Sequence, residues 1–97
     1  MAELWDDEQV SGALTGLTDW QREGDAIVRT AKLPTFTAAI EAVRVVAEVA
    51  ESRDHHPDMD VRWRTVTFRC STHSVGGITG KDVELAGEID RVLTELV

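Results

Sequence analysis

The longest regular pattern in the sequence is an amphipathic stretch between residues 35 and 53. Apolar residues recur there at spacings of three and four, the period of an α-helix with one buried face. Thr35 is a suitable N-cap, and Pro57 disfavours helical geometry in the residue before it. The sequence therefore predicts a helix from Thr35 to Arg53 that is terminated by residues 54–57. The predicted buried stripe consists of Phe36, Ala39, Ile40, Val43, Val46, Ala47 and Ala50.

A β-hairpin is predicted before this helix. Leu17 to Arg22 and Ala26 to Leu33 read as two strands, and Pro34 closes the second of them. Between the strands, Glu23-Gly24-Asp25 is a tight-turn sequence. The two strands are therefore expected to pair with each other.

A second hairpin is predicted after the helix, over Val61 to Thr72. Apolar residues alternate on one face from Val66 to Cys70, whereas Val61 and Trp63 have the opposite parity. This change of parity indicates a turn or bulge near Trp63 and Arg64.

Helices are also predicted near both ends of the chain. The first covers Asp6 to Leu14, with Asp6 or Asp7 as its cap and Gly16 at its end. The last follows a loop from His73 to Gly80 and opens within Thr79-Gly80-Lys81-Asp82. Its apolar stripe consists of Val83, Ala86, Ile89, Leu93 and Leu96. This order of elements favours an α+β fold, a four-stranded antiparallel sheet with three helices packed on one face.

Length and charge narrow the possible classes of protein. The 97 residues are expected to form a single domain over residues 1–97, with a modest core that oligomerisation would enlarge. A formal net charge of −8 argues against nucleic acid and against an anionic membrane surface as partners. The chain shows no signal-peptide pattern and no apolar run of about 20 residues, so a soluble, cytoplasmic protein is expected. Cys70 is the single cysteine, which excludes an intrachain disulfide and favours a small buried hydrophobe.

All three histidines lie within nineteen positions and are the main candidates for chemistry. His55 and His56 precede Pro57 at the expected end of the long helix, and His73 follows the fourth strand. Histidine exchanges protons near neutral pH, so three of them brought together by a turn and a strand indicate acid–base chemistry. Glu51 lies one helical turn before His55, where it could orient an imidazole.

Several of these residues also have a structural interpretation. The His-His-Pro sequence alone is compatible with a helix-ending turn, and Asp82 lies three residues after Thr79, as in a capping box. Three histidines could ligate zinc, but their spacing does not match the usual ligand patterns, and no metal is expected. Trp20 and Trp63 could stack on a flat heteroaromatic ligand or belong to the core.

The combined motif resembles the signature of the pterin-4a-carbinolamine dehydratases, also known as dimerisation cofactors of a homeodomain transcription factor. In this sequence the motif reads Glu51, three further residues, His55-His56-Pro57, Trp63, Thr72-His73 and Asp82. The resemblance covers nearly the whole chain beyond about residue 10. Outside the motif it rests on Trp20, Asp25-Ala26-Ile27, Phe36, Ala39, Val46-Ala47, Ser71, Gly77-Ile78-Thr79 and Leu85-Ala86.

The resemblance implies a fold of four antiparallel strands with three helices on one side, in agreement with the pattern of elements. It also implies a homodimer joined at sheet edges or a homotetramer joined through the long helix, and no metal or organic cofactor. The implied reaction is the loss of water from a 4a-hydroxytetrahydropterin, such as 4a-hydroxytetrahydrobiopterin. The product is quinonoid dihydropterin, which allows tetrahydrobiopterin to be recycled after an aromatic amino acid hydroxylase has turned over.

By the same resemblance, two short segments are expected to line the pterin site. They are Asp54-His55-His56 and Ser71-Thr72-His73. All three histidines are candidate catalytic residues: His55 and His73 as the acid–base pair, in an order left open, and His56 as a group that binds the hydroxyl or the pterin. Glu51 would orient an imidazole, and Asp82 completes the set of expected binding residues.

A second interpretation is a non-catalytic protein-interaction module on the same fold. The resemblance supports it because relatives of this family act as a transcriptional coactivator or assist the assembly of Rubisco. The complete set of histidines favours the enzyme, since a scaffold has no physical need for three titratable groups at this spacing.

Overall fold

The computed structural model describes residues 3–96, which form three α-helices, four β-strands and a short 3₁₀ helix. The helices are α1 (Asp7–Leu14), α2 (Phe36–Arg53) and α3 (Gly80–Leu96), and the strands are β1 (Gln21–Glu23), β2 (Ala26–Lys32), β3 (Asp58–Arg62) and β4 (Thr65–Cys70). The 3₁₀ helix, His73–Val75, lies between β4 and α3. The predicted α+β class and the order of its elements are confirmed. Within residues 3–96, no helix has the length and apolarity that crossing a membrane requires.

The four strands form one antiparallel sheet in the order β1-β2-β4-β3. Residues directly opposite each other share a face, so the pairs Ile27–Cys70 and Ala31–Val66 place β2 and β4 side chains on one buried face. Helices α2 and α3 contact the sheet and pack on each other. The fully buried side chains of the resulting core include Ile27, Leu33, Val46, Val66, Phe68, Ile78, Leu85, Ile89 and Leu93.

The first predicted strand, Leu17 to Arg22, is wrong in its position, because β1 covers only Gln21–Glu23. The residues before β1 form a turn, in which the Trp20 amide donates to the Leu17 carbonyl at 3.0 Å. This turn carries the Trp20 side chain into the core, where it is 4% exposed and its Nε1 donates to Asp90 at 2.8 Å. Burial of a large indole with a satisfied donor therefore outweighs the strand pattern.

The second hairpin begins earlier than predicted, at Asp58 instead of Val61. β3 is an edge strand in which exposed polar residues alternate with half-buried ones, and these polar positions conceal its start in the sequence. The predicted turn at Trp63 and Arg64 is confirmed. Trp63 is 69% exposed at this turn, and the Arg64 guanidinium lies 4.4 Å from the centre of its ring.

Helix α2 begins and ends where the sequence predicts but buries a different face. Thr35 is its N-cap, because the Thr35 hydroxyl oxygen accepts the Ala38 amide at 3.0 Å. The predicted burial of Phe36 and Ile40 is wrong, since these side chains are 50% and 44% exposed. Small side chains form much of the buried face and allow close packing, which leaves the two larger residues toward solvent. The buried residues of α2 are Ala39, Ala42, Val46 and Ala50.

Cys70 is buried at the end of β4, as its place in the alternating pattern predicts. Burial raises the pKa of the Cys70 thiol, and the Asp82 and Asp58 carboxylates raise it further, because each disfavours the thiolate. We therefore expect the folded protein to resist an aromatic disulfide reagent at mildly alkaline pH. Absorbance should remain at the reagent blank and should report the single thiol only after unfolding in guanidinium. Rapid reaction of the folded protein would contradict this expectation.

Candidate active site

The two histidine-bearing segments meet at one end of the sheet, where α2 ends, β3 begins and β4 leads into the 3₁₀ helix. A cleft of about 300 Å³ opens between them. Its wall is formed by Asp54, His55, His56, Pro57, Asp58, Ser71, Thr72, His73, Ser74 and Lys81. All three histidines of the chain therefore line one cavity, which is here called the histidine cleft.

The end of α2 determines the direction in which His55 and His56 leave the helix. Asp54 adopts the left-handed conformation, with φ 50° and ψ 42°. Its backbone N–H and that of His55 donate to carbonyls of the last helical turn, at 3.2 and 3.1 Å. The left-handed residue ends α2, and Pro57 restricts the backbone after the two histidines. Aspartate tolerates this conformation better than most residues, so the chain places a carboxylate at a position typical of glycine.

His55 is held by the buried side chain of Asp82, in the first turn of α3. Nε2 of His55 and Oδ1 of Asp82 are 2.6 Å apart, and the two side chains are 11% and 0% exposed. The second carboxylate oxygen, Oδ2, accepts the Thr79 amide at 2.9 Å and the Thr72 hydroxyl at 2.8 Å. Asp82 therefore caps α3 at Thr79, as the capping interpretation predicts, and it also orients His55.

These contacts assign the position of a proton on His55. A carboxylate oxygen accepts, so Nε2 carries the hydrogen of the bond to Asp82, and Nδ1 is the ring nitrogen left to exchange a proton with a ligand. Behind Asp82, the hydroxyl oxygens of Thr72 and Thr79 are 2.8 Å apart, and the Lys81 amide donates to the Thr79 hydroxyl oxygen at 3.2 Å. The Thr79 hydroxyl can thus donate to the Thr72 hydroxyl, which in turn donates to Asp82. Every polar group of this buried network then has a hydrogen-bond partner.

His56 lies on the exposed side of the cleft and has a looser partner. Its Nε2 is 3.3 Å from Oε1 of Glu51, and the two side chains are 53% and 78% exposed. Glu51 therefore contacts His56 and not His55, although it precedes His55 by one helical turn in the sequence. The left-handed residue at Asp54 turns the chain away from the helix and breaks that spacing. An exposed pair of this kind orients an imidazole only weakly.

His73 lies on a small closed loop between β4 and α3. Thr72 and Gly77 pair across the base of this loop, with N–H to carbonyl bonds of 2.8 and 3.3 Å. Gly76 closes the 3₁₀ turn with φ 69°, a conformation that costs glycine little. The His73 side chain is exposed and lines the cleft, so its position depends on the backbone of this loop.

The N-terminal segment braces the loop after β4 from outside. The Trp5 amide donates to the Ile78 carbonyl at 2.8 Å. The Trp5 indole lies against Gly80, where an added Cβ would be 3.4 Å from the ring. Leu4 packs so closely on Gly77 that a Cβ there would be 2.5 Å from its Cδ1. Residues distant in sequence therefore hold the backbone that carries a candidate catalytic histidine.

Removal of the Trp5 indole is expected to loosen this loop. Trp5→Ala should lower the free energy of unfolding by about 1–2 kcal/mol, because a half-buried aromatic side chain is lost. It should also speed amide hydrogen exchange in residues 72–78, measured by mass spectrometry. Leu14→Ala is the matched control, since it shortens another half-buried side chain, in α1. A similar exchange rate in the two variants would contradict the bracing role of Trp5.

The structure brings together six of the eight residues that the sequence analysis proposes for the pterin site. The six that line the cleft are Asp54, His55, His56, Ser71, Thr72 and His73. Asp82 lies behind the wall and acts through His55, and Glu51 contacts His56 from α2. Of the two tryptophans considered as stacking partners, Trp20 belongs to the core and Trp63 lies at the turn between β3 and β4.

Four residues that line the cleft were not proposed from the sequence as site residues. They are Pro57, Asp58, Ser74 and Lys81. Asp58 and Ser74 are close neighbours of the histidine segments in the sequence, so their position could have indicated that they line the cleft. Lys81 precedes the buried Asp82 by one residue, and successive side chains on a helix diverge by about 100°. The adjacency therefore gave no indication that Lys81 would reach the cleft.

Two of the histidines each use one ring nitrogen in a hydrogen bond to a carboxylate. Nε2 of His55 is bonded to Asp82, and Nε2 of His56 is bonded to Glu51. Across residues 3–96, no three His, Cys, Asp or Glu side chains are grouped so that they could hold a metal ion.

Comparison with known sequences places the chain in a family. Over residues 3–92 it matches the family model described as Pterin 4 alpha carbinolamine dehydratase. A relative from Mycolicibacterium smegmatis, provisionally named a pterin-4-alpha-carbinolamine dehydratase, is 56% identical over 88 residues, which cover 91% of this chain and 94% of the relative. The chain therefore belongs to the pterin-4-alpha-carbinolamine dehydratase family.

Two solved structures are similar to this chain. The crystal structure of a transcriptional coactivator/pterin dehydratase from Brucella melitensis has a TM-score of 0.90 and 28% identity, and the match covers 93% of this chain and 98% of that one. A pterin dehydratase-like protein identified as a RuBisCO assembly factor in the alpha-carboxysome has a TM-score of 0.62 and 12% identity, with coverage of 75% and 84%. The second likeness shows the fold alone.

Proposed function

We propose that this protein is a dehydratase that removes water from a 4a-hydroxytetrahydropterin and gives quinonoid dihydropterin, a step in recycling a tetrahydropterin cofactor. The observation that carries the proposal is the convergence of His55 and His73, from two distant segments, on one cleft. A volume of about 300 Å³ is at the lower end for ligand sites and suits a small bicyclic ring. Membership of the family supplies the reaction.

The reaction requires two proton transfers. The C4a–O bond breaks and the hydroxyl leaves as water after it has taken up a proton. N5 loses its proton, and the electron pair of that bond forms the N5=C4a double bond. A protonated imidazole supplies the first proton and a neutral imidazole accepts the second, so His55 and His73 suffice in either order. The pair ends with its protonation exchanged, and proton transfer through solvent restores it.

Asp82 supports the role proposed for His55. The bond of 2.6 Å to a fully buried carboxylate restricts rotation of the ring and keeps Nε2 occupied. Nδ1 is therefore the nitrogen that would exchange a proton with the substrate. His73 is exposed, so its ring can exchange protons with water between turnovers.

Polar groups around the histidines support binding of the pterin. The Asp54 and Asp58 carboxylates accept hydrogen bonds and suit the amino and ring N–H groups of a pterin. The Ser71 hydroxyl can donate or accept, so it suits the ring nitrogens and the carbonyl oxygen. His56, at the exposed side of the cleft, is our candidate for the group that binds the 4a-hydroxyl.

The direct test is the rate of dehydration of chemically generated 4a-hydroxytetrahydropterin, followed by ultraviolet absorbance with and without the protein. We expect an acceleration proportional to protein concentration. Thr67→Ala serves as a control substitution outside the cleft. It should retain the full rate, because Thr67 pairs with Thr30 in the sheet, away from the residues of the cleft. A rate equal to that of buffer alone would refute the dehydratase proposal.

The alternative function is protein interaction without catalysis. It is favoured by the likeness to the Brucella melitensis protein, whose description combines coactivator with pterin dehydratase. The histidine cleft weighs against it, because a surface that only binds a protein has no need of a buried carboxylate that orients an imidazole. The same dehydration assay separates the two candidates.

A further inference from the structure

A second cavity adjoins the histidine cleft. It has a volume of about 170 Å³ and is lined by Arg53, His55, Lys81 and Glu84. His55 and Lys81 line both spaces, so the second cavity, here called the side cavity, borders the cleft and shares these two side chains with its wall. Its volume equals that of roughly five or six molecules of liquid water, which is room for a short substituent on a ring bound in the cleft.

The wall of the side cavity contains two basic side chains, Arg53 and Lys81, and one carboxylate. Its one carboxylate, Glu84, is paired with Arg53 at 3.7 Å, and Arg53 also pairs with Glu88 at 3.3 Å. Within the part of the chain that the structure describes, no carboxylate oxygen lies within 4.0 Å of the Lys81 ammonium group. The Lys81 side chain is also exposed, so its ammonium group is available to a ligand.

The cleft beyond Lys81 has the opposite charge. Asp54 and Asp58 line the cleft but not the side cavity, and both are carboxylates. The combined space therefore suits a ligand with N–H donors at one end and a negative group at the other. A pterin has this polarity when its C6 substituent is anionic, because the amino-pyrimidinone edge and C6 lie at opposite ends of the ring system.

We propose that the side cavity receives the C6 substituent of the pterin and that Lys81 selects substrates in which this substituent carries a carboxylate or a phosphate. The inference rests on the proposed dehydratase function. A lysine ammonium is a compact charge that pairs with either anion. In a chain of net charge −8, an unpaired lysine at the site is a local exception to a field that otherwise repels anions.

The test compares three 4a-hydroxytetrahydropterins whose C6 substituents are neutral, carboxylated and phosphorylated. In the wild type, kcat/KM should be at least about fivefold higher for an anionic substrate than for the neutral one, and the two anionic substrates show which anion is preferred. Lys81→Gln should remove this preference, because KM should rise for the anionic substrates by at least about fivefold more than for the neutral one. Lys81→Arg should retain the preference, and added salt should weaken it.

Lys32→Gln is the matched control, because Lys32 is an exposed lysine of β2 and lines neither cavity. It should leave all three substrates unchanged. Equal kcat/KM values for neutral and anionic substrates in the wild type would overturn the inference. So would an equal loss for all three substrates in Lys81→Gln.

An equilibrium measurement separates this inference from the dehydratase proposal. Pterin-6-carboxylate and 6-hydroxymethylpterin are stable, fluorescent and not turned over, so their dissociation constants can be measured by quenching. The carboxylate should bind at least about fivefold more tightly, and Lys81→Gln should abolish the difference. Equal affinities would refute the selectivity even if dehydration is catalysed. Absence of dehydration would refute the enzyme, and the binding measurement would still decide the role of Lys81.

Discussion

Replacement of His73 by alanine is expected to slow the dehydration of 4a-hydroxytetrahydropterin by about 10²–10⁴-fold, the usual contribution of one general acid or base. The loss should appear in kcat, because the proton is transferred in the transition state. Stability should change by less than about 0.5 kcal/mol, because the side chain is exposed. Absorbance-monitored kinetics and urea unfolding measure the two quantities on the same preparation.

His56→Ala is the matched variant for this experiment. It removes a second exposed histidine from the same cleft, so it controls for the loss of an imidazole as such. If His56 binds the substrate without transferring a proton in the slow step, its loss should raise KM more than it lowers kcat. Small and equal effects of the two substitutions would be incompatible with the role assigned to His73.

Asp82→Asn is expected to reduce both activity and stability. Three donors converge on the Asp82 carboxylate: Nε2 of His55, the Thr72 hydroxyl and the Thr79 amide. The asparagine side chain has one acceptor oxygen in place of two. Its NH₂ group, itself a donor, must therefore face one of the donors that the second carboxylate oxygen had accepted. We expect the free energy of unfolding to fall by about 1–3 kcal/mol, because the side chain is fully buried.

The effect of Asp82→Asn on activity follows from the tautomer of His55. If the amide oxygen faces the two threonines, the NH₂ group faces Nε2, which must then accept a hydrogen bond. The proton moves to Nδ1, the nitrogen that the mechanism requires to be free. A change of tautomer of this kind lowers kcat by about 10⁴-fold in serine proteases, and we expect a loss of about 10²–10⁴-fold here.

Two measurements distinguish this account from simple unfolding. Nitrogen-15 spectra of the imidazoles should show the His55 proton on Nε2 in the wild type and on Nδ1 in the Asp82→Asn variant. Asp60→Asn is the control, because Asp60 is an exposed carboxylate of β3 that is bonded to Arg62. It should leave spectra, stability and rate unchanged. An unaltered His55 tautomer in Asp82→Asn would rule out the proposed positioning role.

Local signals explain what the sequence predicted well. The N-cap at Thr35, the end of α2 before Pro57 and the turn at Gly24 each depend on the chemistry of a few neighbouring residues. Period-two alternation likewise placed β2 and β4 within a few residues of their observed bounds. Such features can be predicted from the sequence because their free energies depend on neighbouring residues and hardly on the rest of the fold.

The predictions from sequence are wrong where tertiary packing determines the local structure. The segment from Leu17 to Trp20 has the pattern of a strand, but it is a turn because the Trp20 indole is buried against Asp90, seventy residues away. The buried face of α2 is likewise set by its neighbours, which leave Phe36 exposed.

The site shows the same division between local and distant information. Its histidines could be identified from their spacing and from the family resemblance. The bond from Asp82 to His55 joins residues 27 positions apart, and the side cavity depends on Arg53 and Lys81 being brought together. Contacts of this kind leave no periodic trace in a single sequence.

The left-handed conformation of Asp54 has a consequence for protein engineering. Glycine adopts this backbone at less cost than any other residue, yet it would remove the carboxylate of Asp54 from the residues that line the cleft. A screen for heat resistance alone would therefore favour glycine at position 54, and the resulting protein would fold well without the carboxylate that we propose binds the pterin. If Asp54 has this role, the most stable sequence for this backbone differs from the most active one.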